Sequence, residues 1–293
     1  MLEMAPKIEA LAAEIVDDVC ERGECEFVFD VAAKLPVFTF CELMGIPVEY
    51  RKRVVELGNA IADVETRKDL SANPVVELAE IAIELGEQKR KHPDDRLLSQ
   101  IVNSNELNLE PLQVAMFFGV FAVAGHETTR STASHFINLM NRHPDQYELL
   151  LEDVDGRIDN AIEEVLRYTS TTTNFRRTTT AATEIGGVPV EKGAKIYLSY
   201  AGANRDPAVF ENPHQFDITR SNARKHLAFG TGPHVCTGAR LARLQLKALL
   251  KQIVTRIPDI RVVEAQWLRS IWFNAIIHMP VEFTPASATG ESL

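Results

Sequence analysis

The sequence contains few cysteines and no long hydrophobic run. Its 293 residues include four cysteines, without the C-x2-C spacing of many metal sites, at Cys20, Cys25, Cys41 and Cys236. So few thiols in a chain of this length exclude a disulfide scaffold. The longest stretch without a charged residue, Pro111 to Gly125, is shorter than the ~20 apolar residues that span a bilayer. We therefore expect no contact with a membrane.

Positive charge is also in deficit. The chain has 31 Lys and Arg against 41 Asp and Glu, a net charge of −10, which argues against a general nucleic-acid binder. The start, MLEMAPKIEALAAEIVDD, has neither the basic region nor the apolar block of a secretion signal. These absences predict a soluble, cytoplasmic protein that does not bind nucleic acid.

What remains is the composition of a folded protein, with 45% hydrophobic and 25% charged residues. Apolar residues recur at helical spacing through the first two-fifths of the chain, beginning at Ile8. This periodicity predicts helices at about residues 7–20, 35–44, 49–63, 74–91, 94–102, 109–140 and 145–151.

The pattern changes after Thr169. Residues 175–199 are rich in Thr, Val and Ile and are broken by Gly pairs, which predicts short strands and hairpins. A long irregular stretch, residues 204–229, is typical of a functional loop. A helix at about 237–256 and an alternating strand from Ile271 to Met279 complete the chain. We predict one domain over residues 1–293, mainly α with small β-sheets (α+β).

The helix predicted at 109–140 breaks a local rule. Its first half is apolar on every side, as only a central helix tolerates. Gly125 and five polar or charged residues, His126 to Arg130, follow without a turn signal. Such violations cluster at functional sites. The alternative is that the helix simply surfaces there.

A glycine-rich segment, Phe229 to Gly238, holds Cys236 ahead of an amphipathic helix. Glycines let backbone approach a flat ligand closely, and a helix N-terminus favours the thiolate form of a cysteine. A thiolate is the form that ligates iron. The alternative is an inert, buried cysteine beside a glycine turn.

Four motifs in order resemble the cytochrome P450 family, in its soluble bacterial form. The Phe229 to Gly238 segment resembles the family's haem loop, and Ala124-Gly125-His126-Glu127-Thr128 its oxygen-activating helix motif. Glu164-Val165-Leu166-Arg167 resembles the E-x-x-R motif, and Asn204 to Pro207, with Phe216 to Arg220, the meander before the haem loop. The resemblance implies the cytochrome P450 fold and haem b (iron protoporphyrin IX) with Cys236 as its axial iron ligand.

The resemblance also implies structural roles. Glu164 and Arg167 share a helix face, and in the family this pair is buried and joined by an arginine that matches Arg220. The spacing alone is equally typical of a solvated surface pair. Arg177 matches a propionate-binding arginine; the adjacent Arg176 is the alternative, since neighbouring strand residues face opposite ways.

Further site residues follow from the resemblance. Glu127 and Thr128 are implied as the catalytic acid and alcohol of oxygen activation. Thr129 is the alternative candidate for the alcohol, but the family pattern selects Thr128. Besides Cys236 and Arg177, the implied cofactor-binding residues are His234, Phe229, Gly230, Gly232, Gly238, Ala124 and Gly125. The implied substrate pocket consists of Phe121, Ala122, Thr172, Thr173, Asn174 and Phe175.

The implied activity is a haem-thiolate monooxygenase that inserts one oxygen atom of O2 into a hydrophobic small molecule. The Leu268 to Asn274 stretch resembles bacterial members that oxidise terpenoids or steroids. Because the chain has no G-x-G-x-x-G dinucleotide turn, we expect electrons from a ferredoxin-type donor with its reductase. Arg224, Lys225, Arg240 and Arg243 flank the haem loop, and the donor would dock there if they form a basic patch; the alternative is that they are scattered, solvated charges.

Family members continue upstream of the segment that matches Met1, so we expect the fold to be N-terminally truncated. Two alternatives to the monooxygenase therefore stand at this point. One is a haem-binding remnant without turnover, and the other is a haem-free helical domain that binds a small molecule.

Overall fold

A computed structural model describes residues 4–62 and 73–290, and helices dominate this part of the chain. The α-helices are α1 Ala5–Cys20, α2 Lys34–Met44, α3 Val48–Ala62, α4 Pro74–Lys91, α5 Leu97–Val102, α6 Pro111–Arg142, α7 Pro144–Glu152, α8 Val154–Thr169, α9 Tyr200–Ala203 and α10 Ala239–Arg256. The bounds of α1 to α7 and α10 agree with the predicted helices to within a few residues, whereas no bounds were predicted for α8 and α9. Asp63, the predicted last residue of its helix, lies outside the described residues.

Local chemistry explains where the helices begin and end. Gly45 has φ +69°, a left-handed conformation that glycine adopts without strain, and it ends α2. The N–H of the next residue, Ile46, donates to the carbonyl oxygen of Cys41 at 2.9 Å. Pro111 and Pro144 begin α6 and α7 at the first helical position, where a missing N–H costs no hydrogen bond.

The sheets are small and antiparallel. Their strands are β1 Glu24–Glu26, β2 Asn174–Thr178, β3 Thr183–Ile185, β4 Val188–Val190, β5 Lys195–Ser199, β6 Arg261–Val262, β7 Gln266–Trp267, β8 Ile276–His278 and β9 Pro280–Glu282. β9 lies between β1 and β6, while β2 pairs with β5, β3 with β4, and β7 with β8. This architecture confirms the predicted α+β class.

The predicted strand from Ile271 to Met279 is wrong in its first half. The Ser270 hydroxyl accepts hydrogen bonds from the N–H groups of Trp272 (3.1 Å) and Phe273 (3.0 Å), which bends the chain and breaks the pleat. Ile271 is consequently 93% exposed. Regular pairing begins only at β8.

Two apolar cores pack along the long helix α6, one against each half of it. Its first half packs Phe118 among α2, α3 and α4, and its second half packs Phe136 and Ile137 among α1, α8 and α10. Fixing α6 at both ends holds the polar run between them in a defined position. In the part of the chain that the structure describes, no helix combines the length and apolarity needed to cross a membrane.

Candidate active site

The polar run of α6 is buried. Residues 111–142 form one uninterrupted α-helix, in which Ala124 and Gly125 are exposed, whereas His126, Glu127 and Arg130 are each at most 5% exposed. The alternative that the helix merely surfaces at this run is therefore wrong. Buried ionisable side chains need specific partners, because burying a charge without one is costly.

Glu127 finds its partners on its own helix. One carboxylate oxygen forms an ion pair with the guanidinium of Arg130, and the other accepts a hydrogen bond of 3.0 Å from the Ser131 hydroxyl. The Arg130 guanidinium also lies over the ring of Phe29, with Cζ 5.9 Å from the ring centroid. The buried negative charge is thus compensated within one turn of helix.

Of the two adjacent threonines, Thr128 is the more accessible. It is half-buried and donates a hydrogen bond of 2.7 Å to the carbonyl oxygen of Ala124, whereas Thr129 is only 6% exposed. One turn further on, the hydroxyl of Thr132 lies 3.2 Å from that of Thr171. This contact joins α6 to the segment that follows α8.

His126 is a buried, neutral imidazole. Burial, together with the nearby positive charge of Arg130, lowers the pKa of His126 to about 3. Its Nε2 has no hydrogen-bond partner among the described residues. At neutral pH the ring therefore carries no charge into the helix.

The cysteine loop has a defined backbone. Gly230 and Gly232 have φ values of +69° and +68°, which a residue with a side chain rarely adopts. The N–H of Cys236 donates to the carbonyl oxygen of Phe229 at 2.8 Å, and Gly238 caps the first turn of α10. The loop thereby presents the Cys236 side chain on an exposed, hydrogen-bonded turn.

The other three cysteines, all within the described residues, are poor candidates for a thiolate. Cys20 and Cys41 are buried and Cys25 is half-buried, whereas Cys236 is exposed. Burial raises the pKa of Cys25 to about 12 and that of Cys41 to about 11. Exposure thus singles out Cys236, and the alternative of a buried, inert cysteine is wrong for this position.

Glu164, Arg167 and Arg220 form one buried cluster. Arg167 donates from Nε and Nη2 to the two oxygens of Glu164 at 2.7 and 2.8 Å, and Arg220 Nε lies 3.2 Å from the same carboxylate. Arg167 also donates to the carbonyl oxygens of Asn204 and Pro213 at 2.9 and 2.8 Å. This pair is fully buried rather than solvated, and it anchors the irregular segment before the cysteine loop.

The segment after α8 lies between α6 and the cysteine loop. The ring of Phe175 is 5.8 Å from that of Tyr200, whose hydroxyl would lie 3.2 Å from a Cβ placed on Gly230. On the other side, Phe175 meets Trp272 edge to face at 5.7 Å. The backbone of Thr173 is held by the same segment, because its N–H donates to the carbonyl oxygen of Trp272 at 2.9 Å. Asn174 and Thr172 flank this contact in half-buried positions.

The predicted pocket residues on α6 divide between two faces of the helix. Phe121 is half-buried and stacks on Phe117 at 4.4 Å. Ala122, by contrast, is 4% exposed and packs in the core with Phe118. The prediction that Ala122 lines the pocket is therefore a misassignment, because one helical step of about 100° turns it from the open side into the core.

Known proteins resemble this chain along most of its length. The family model described as Cytochrome P450 matches residues 56–257. A steroid C26-monooxygenase of Rhodococcus jostii is 35% identical over 285 residues, covering 94% of this chain and 59% of the relative. A putative cytochrome P450 of Mycobacterium tuberculosis is 36% identical over 283 residues, covering 92% of this chain and 68% of the relative.

A solved structure shows the same fold. A Mycobacterium marinum cytochrome P450 in complex with pseudoionone superposes with a TM-score of 0.89 at 34% identity, over 96% of this chain and 70% of that one. The chain belongs to the cytochrome P450 family. It spans 59% to 68% of the length of the two curated relatives described above.

Membership in the P450 family implies a haem-thiolate cofactor. The residues present fit that group in their donor chemistry, since the exposed thiol is the one on the cysteine loop. They also fit in shape, because a Cβ added to Gly125 or Gly232 would meet no other atom within 4 Å. Among the described residues, no cluster of three or more His, Cys, Asp or Glu offers an alternative metal site.

Arg177 of this P450 lies on β2 opposite Ile196 of β5. It is half-buried, and its Nη1 donates to the carbonyl oxygen of Arg176 at 3.0 Å, while the Arg176 side chain is exposed on the other side of the strand. His234 is exposed in a short 3-10 turn, Gly232–His234. Both side chains thus remain accessible to an anionic group.

The basic patch includes one misassigned residue. Arg224, Lys225 and Arg240 are exposed, as predicted. Arg243 is instead bound to Glu163, with Nε 2.6 Å and Nη2 2.9 Å from its two oxygens. A guanidinium engaged in this way contributes little free charge to a docking surface.

Glu163 and His226 are features that our sequence analysis missed. His226 Nε2 lies 2.9 Å from the Glu163 carboxylate, which is itself 1% exposed. Burial alone would raise the pKa of Glu163, but hydrogen bonds from His226 and Arg243 outweigh it and lower the pKa to about 2. The available signal was the pair of carboxylates at positions 163 and 164 on a helix that had to bury one face.

Proposed function

We propose that this P450 chain is a haem-thiolate monooxygenase that inserts one oxygen atom of O2 into a hydrophobic small molecule. The observation that carries the proposal is the exposed Cys236 thiol on its hydrogen-bonded loop, whereas the other three cysteines are buried or half-buried. A bound haem would supply the activation of dioxygen, and a thiolate ligand from Cys236 would favour cleavage of the O–O bond. The proposed cofactor is haem b.

In this proposal the loop and its neighbours hold the cofactor. Cys236 would provide the sulfur, and the small residues Ala124 and Gly125 would leave room for the group. Arg177 and His234 neutralise the propionates through charge-assisted hydrogen bonds. Phe229, Gly230, Gly232 and Gly238 give the loop its shape and allow its backbone to lie close to a flat ligand.

Thr128 and Glu127 deliver protons. The Thr128 hydroxyl, now donating to the Ala124 carbonyl oxygen, can rotate to donate toward the open side of α6. Glu127 is the nearest carboxylate on the helix, and it must loosen from Arg130 before it exchanges a proton. The ion pair therefore favours Glu127 as a gated acid and Thr128 as the direct hydrogen-bond donor.

The proposed substrate class is a steroid or a molecule of similar size and apolarity. Relatives at 31–35% identity carry the name steroid C26-monooxygenase. The aromatic cluster of Phe175, Tyr200 and Trp272 supplies apolar surface beside the cysteine loop.

An isotope experiment tests the function. The haem-loaded chain is supplied with a bacterial ferredoxin, its reductase, NADPH and 18O2, and a sterol with an intact side chain is the probe. We expect a product that carries one 18O atom per molecule. Haem binding without any 18O in the sterol, or in a terpenoid ketone tested in parallel, would contradict the monooxygenase and favour the haem-binding remnant.

Thr128→Ala is expected to keep the haem but to divert electrons from product to hydrogen peroxide. Losing one hydroxyl that donates a hydrogen bond lowers product formed per NADPH about tenfold. The measurement is hydrogen peroxide and product per NADPH consumed. Thr129→Ala is the matched control, because Thr129 is adjacent but buried. Equal coupling in the two variants would count against the role of Thr128.

The proposed electron donor is a ferredoxin-type protein that binds the patch of Arg224, Lys225 and Arg240. The double variant Lys225→Glu with Arg240→Glu is expected to slow reduction by the ferredoxin about tenfold at low salt, and it leaves Arg224, which lies 3.8 Å from Glu163, unchanged. Lys52→Glu with Lys91→Glu changes the net charge equally at exposed positions on α3 and α4 and serves as the control. Reduction rates that do not depend on salt would contradict this docking site.

A further inference from the structure

Two carboxylates that are adjacent on α8 contact different parts of the chain. Glu164 binds Arg167, Arg220 and the N–H of Asp217, all in or beside the meander. Glu163 binds instead the two segments that flank the cysteine loop, one before it and one after it. The second set of contacts therefore bears on the position of the Cys236 sulfur.

The contact before the loop runs through His226. Because a carboxylate only accepts, the Nε2–H of His226 donates to Glu163 at 2.9 Å, which leaves Nδ1 as an acceptor. Nδ1 accepts the N–H of Ala228 at 3.1 Å. Ala228 precedes Phe229, whose carbonyl oxygen accepts the N–H of Cys236 at 2.8 Å. Glu163 thereby selects the His226 tautomer whose Nδ1 holds Ala228, at the start of the cysteine loop.

The contact after the loop runs through Arg243 of α10. Its guanidinium binds both oxygens of Glu163, and the same group lies over the ring of Phe229, with Cζ 4.4 Å from the centroid. A planar, bidentate guanidinium fixes orientation as well as distance. Phe229 is therefore held through its backbone neighbour on one side and through its ring on the other.

We propose that Glu163 is the positioning residue of Cys236. It holds both flanks of the cysteine loop through His226 and Arg243, so that the Cys236 sulfur keeps one position. Glu163 contacts neither the sulfur nor any bound group. Its effect on Cys236 passes through Phe229, the residue that both contacts share. The role of the haem in this inference rests on the proposed function, whereas the clamp of Glu163, His226 and Arg243 does not.

The test compares two ion pairs that join the same two helices. Asp159 and Lys247 are 2.9 Å apart on the exposed side of α8 and α10. Glu163→Gln removes the charge that holds both flanks, and Asp159→Asn removes a helix-to-helix ion pair without touching them. Native-state hydrogen exchange of the haem-free chain then reports the Cys236 amide directly.

We expect Glu163→Gln to speed exchange of the Cys236 amide about tenfold or more, the loss typical of a hydrogen bond to a charged group. Amides in α2 and α4 should exchange as in the parent chain, and Asp159→Asn should alter neither set. An unchanged Cys236 amide in folded Glu163→Gln would overturn the proposal. If that variant does not fold, Arg243→Lys tests the same clamp, since it keeps the charge and loses the fork.

The haem-loaded variants provide a spectroscopic readout. Reduced, carbon-monoxide-bound Glu163→Gln should lose part of the long-wavelength band of thiolate ligation to the shorter-wavelength band of a neutral thiol, and Glu163→Asp should restore part of it. Asp159→Asn should keep the parent spectrum. If the parent chain binds no haem, the proposed function fails while the exchange experiment still decides the clamp.

Discussion

Arg167→Ala should yield little folded protein. Arg167 is fully buried. Its guanidinium donates hydrogen bonds to the Glu164 carboxylate and to the carbonyl oxygens of Asn204, Pro213 and Gln215. Removing it leaves the Glu164 carboxylate buried with only part of its partners. Breaking a buried ion pair by removing one partner costs ~3–5 kcal/mol, which is a large share of the ~5–15 kcal/mol that holds a typical domain together.

The measurement is the urea midpoint and soluble yield of the variant, compared with Lys251→Ala. Lys251 of α10 pairs with Asp155 of α8, but both side chains are exposed. We expect little change in the urea midpoint for this surface pair, because water and salt screen exposed charges. Equal stability of the two variants would contradict the anchoring role that the geometry gives to Arg167.

The helices could be predicted because their causes are local. The all-round apolarity of residues 111–123 predicts a central helix, and α6 joins both cores. Gly45 and Pro47 predicted the end of α2, which the left-handed conformation of Gly45 explains. The predicted strand at Ile271 failed for an equally local reason, since the Ser270 hydroxyl competes for the backbone N–H groups.

The long-range contacts of the site were harder to predict. Spacing places Glu164 and Arg167 on one face, but nothing in spacing joins them to Arg220, which came from the family resemblance. Arg243 was assigned to a basic patch because, like Arg224, Lys225 and Arg240, it flanks the cysteine loop in the sequence. Its partner, Glu163, lies 80 positions away in the sequence, and a contact of that kind depends on how two helices pack.

The Ala122 error has a different physical origin. Phe121 and Ala122 are adjacent and both apolar, so composition gives no reason to separate them. The helix rotates about 100° between neighbours, and the core formed by α2, α3 and α4 takes Ala122 while the other face keeps Ala124 open. The direction of the core is a tertiary fact that the sequence pattern of α6 does not contain.

Cys236→Ser has the second large expected effect, and it acts on the cofactor rather than on the fold. The side chain is exposed, and the hydrogen bond that shapes the loop comes from the backbone N–H of residue 236. Serine keeps that N–H and nearly the same volume, so the unfolding midpoint should stay close to that of the parent chain. What it removes is the sulfur, and a thiolate is the form of cysteine that ligates a metal.

The absorption spectrum of the purified chain, reduced under carbon monoxide, tests this claim most directly. We expect the parent chain loaded with haem to show the long-wavelength Soret band of thiolate ligation, and Cys236→Ser at equal haem and protein concentration to show none of it. Circular dichroism of both samples verifies that each is folded. The same long-wavelength band in the serine variant would show that another group ligates the iron.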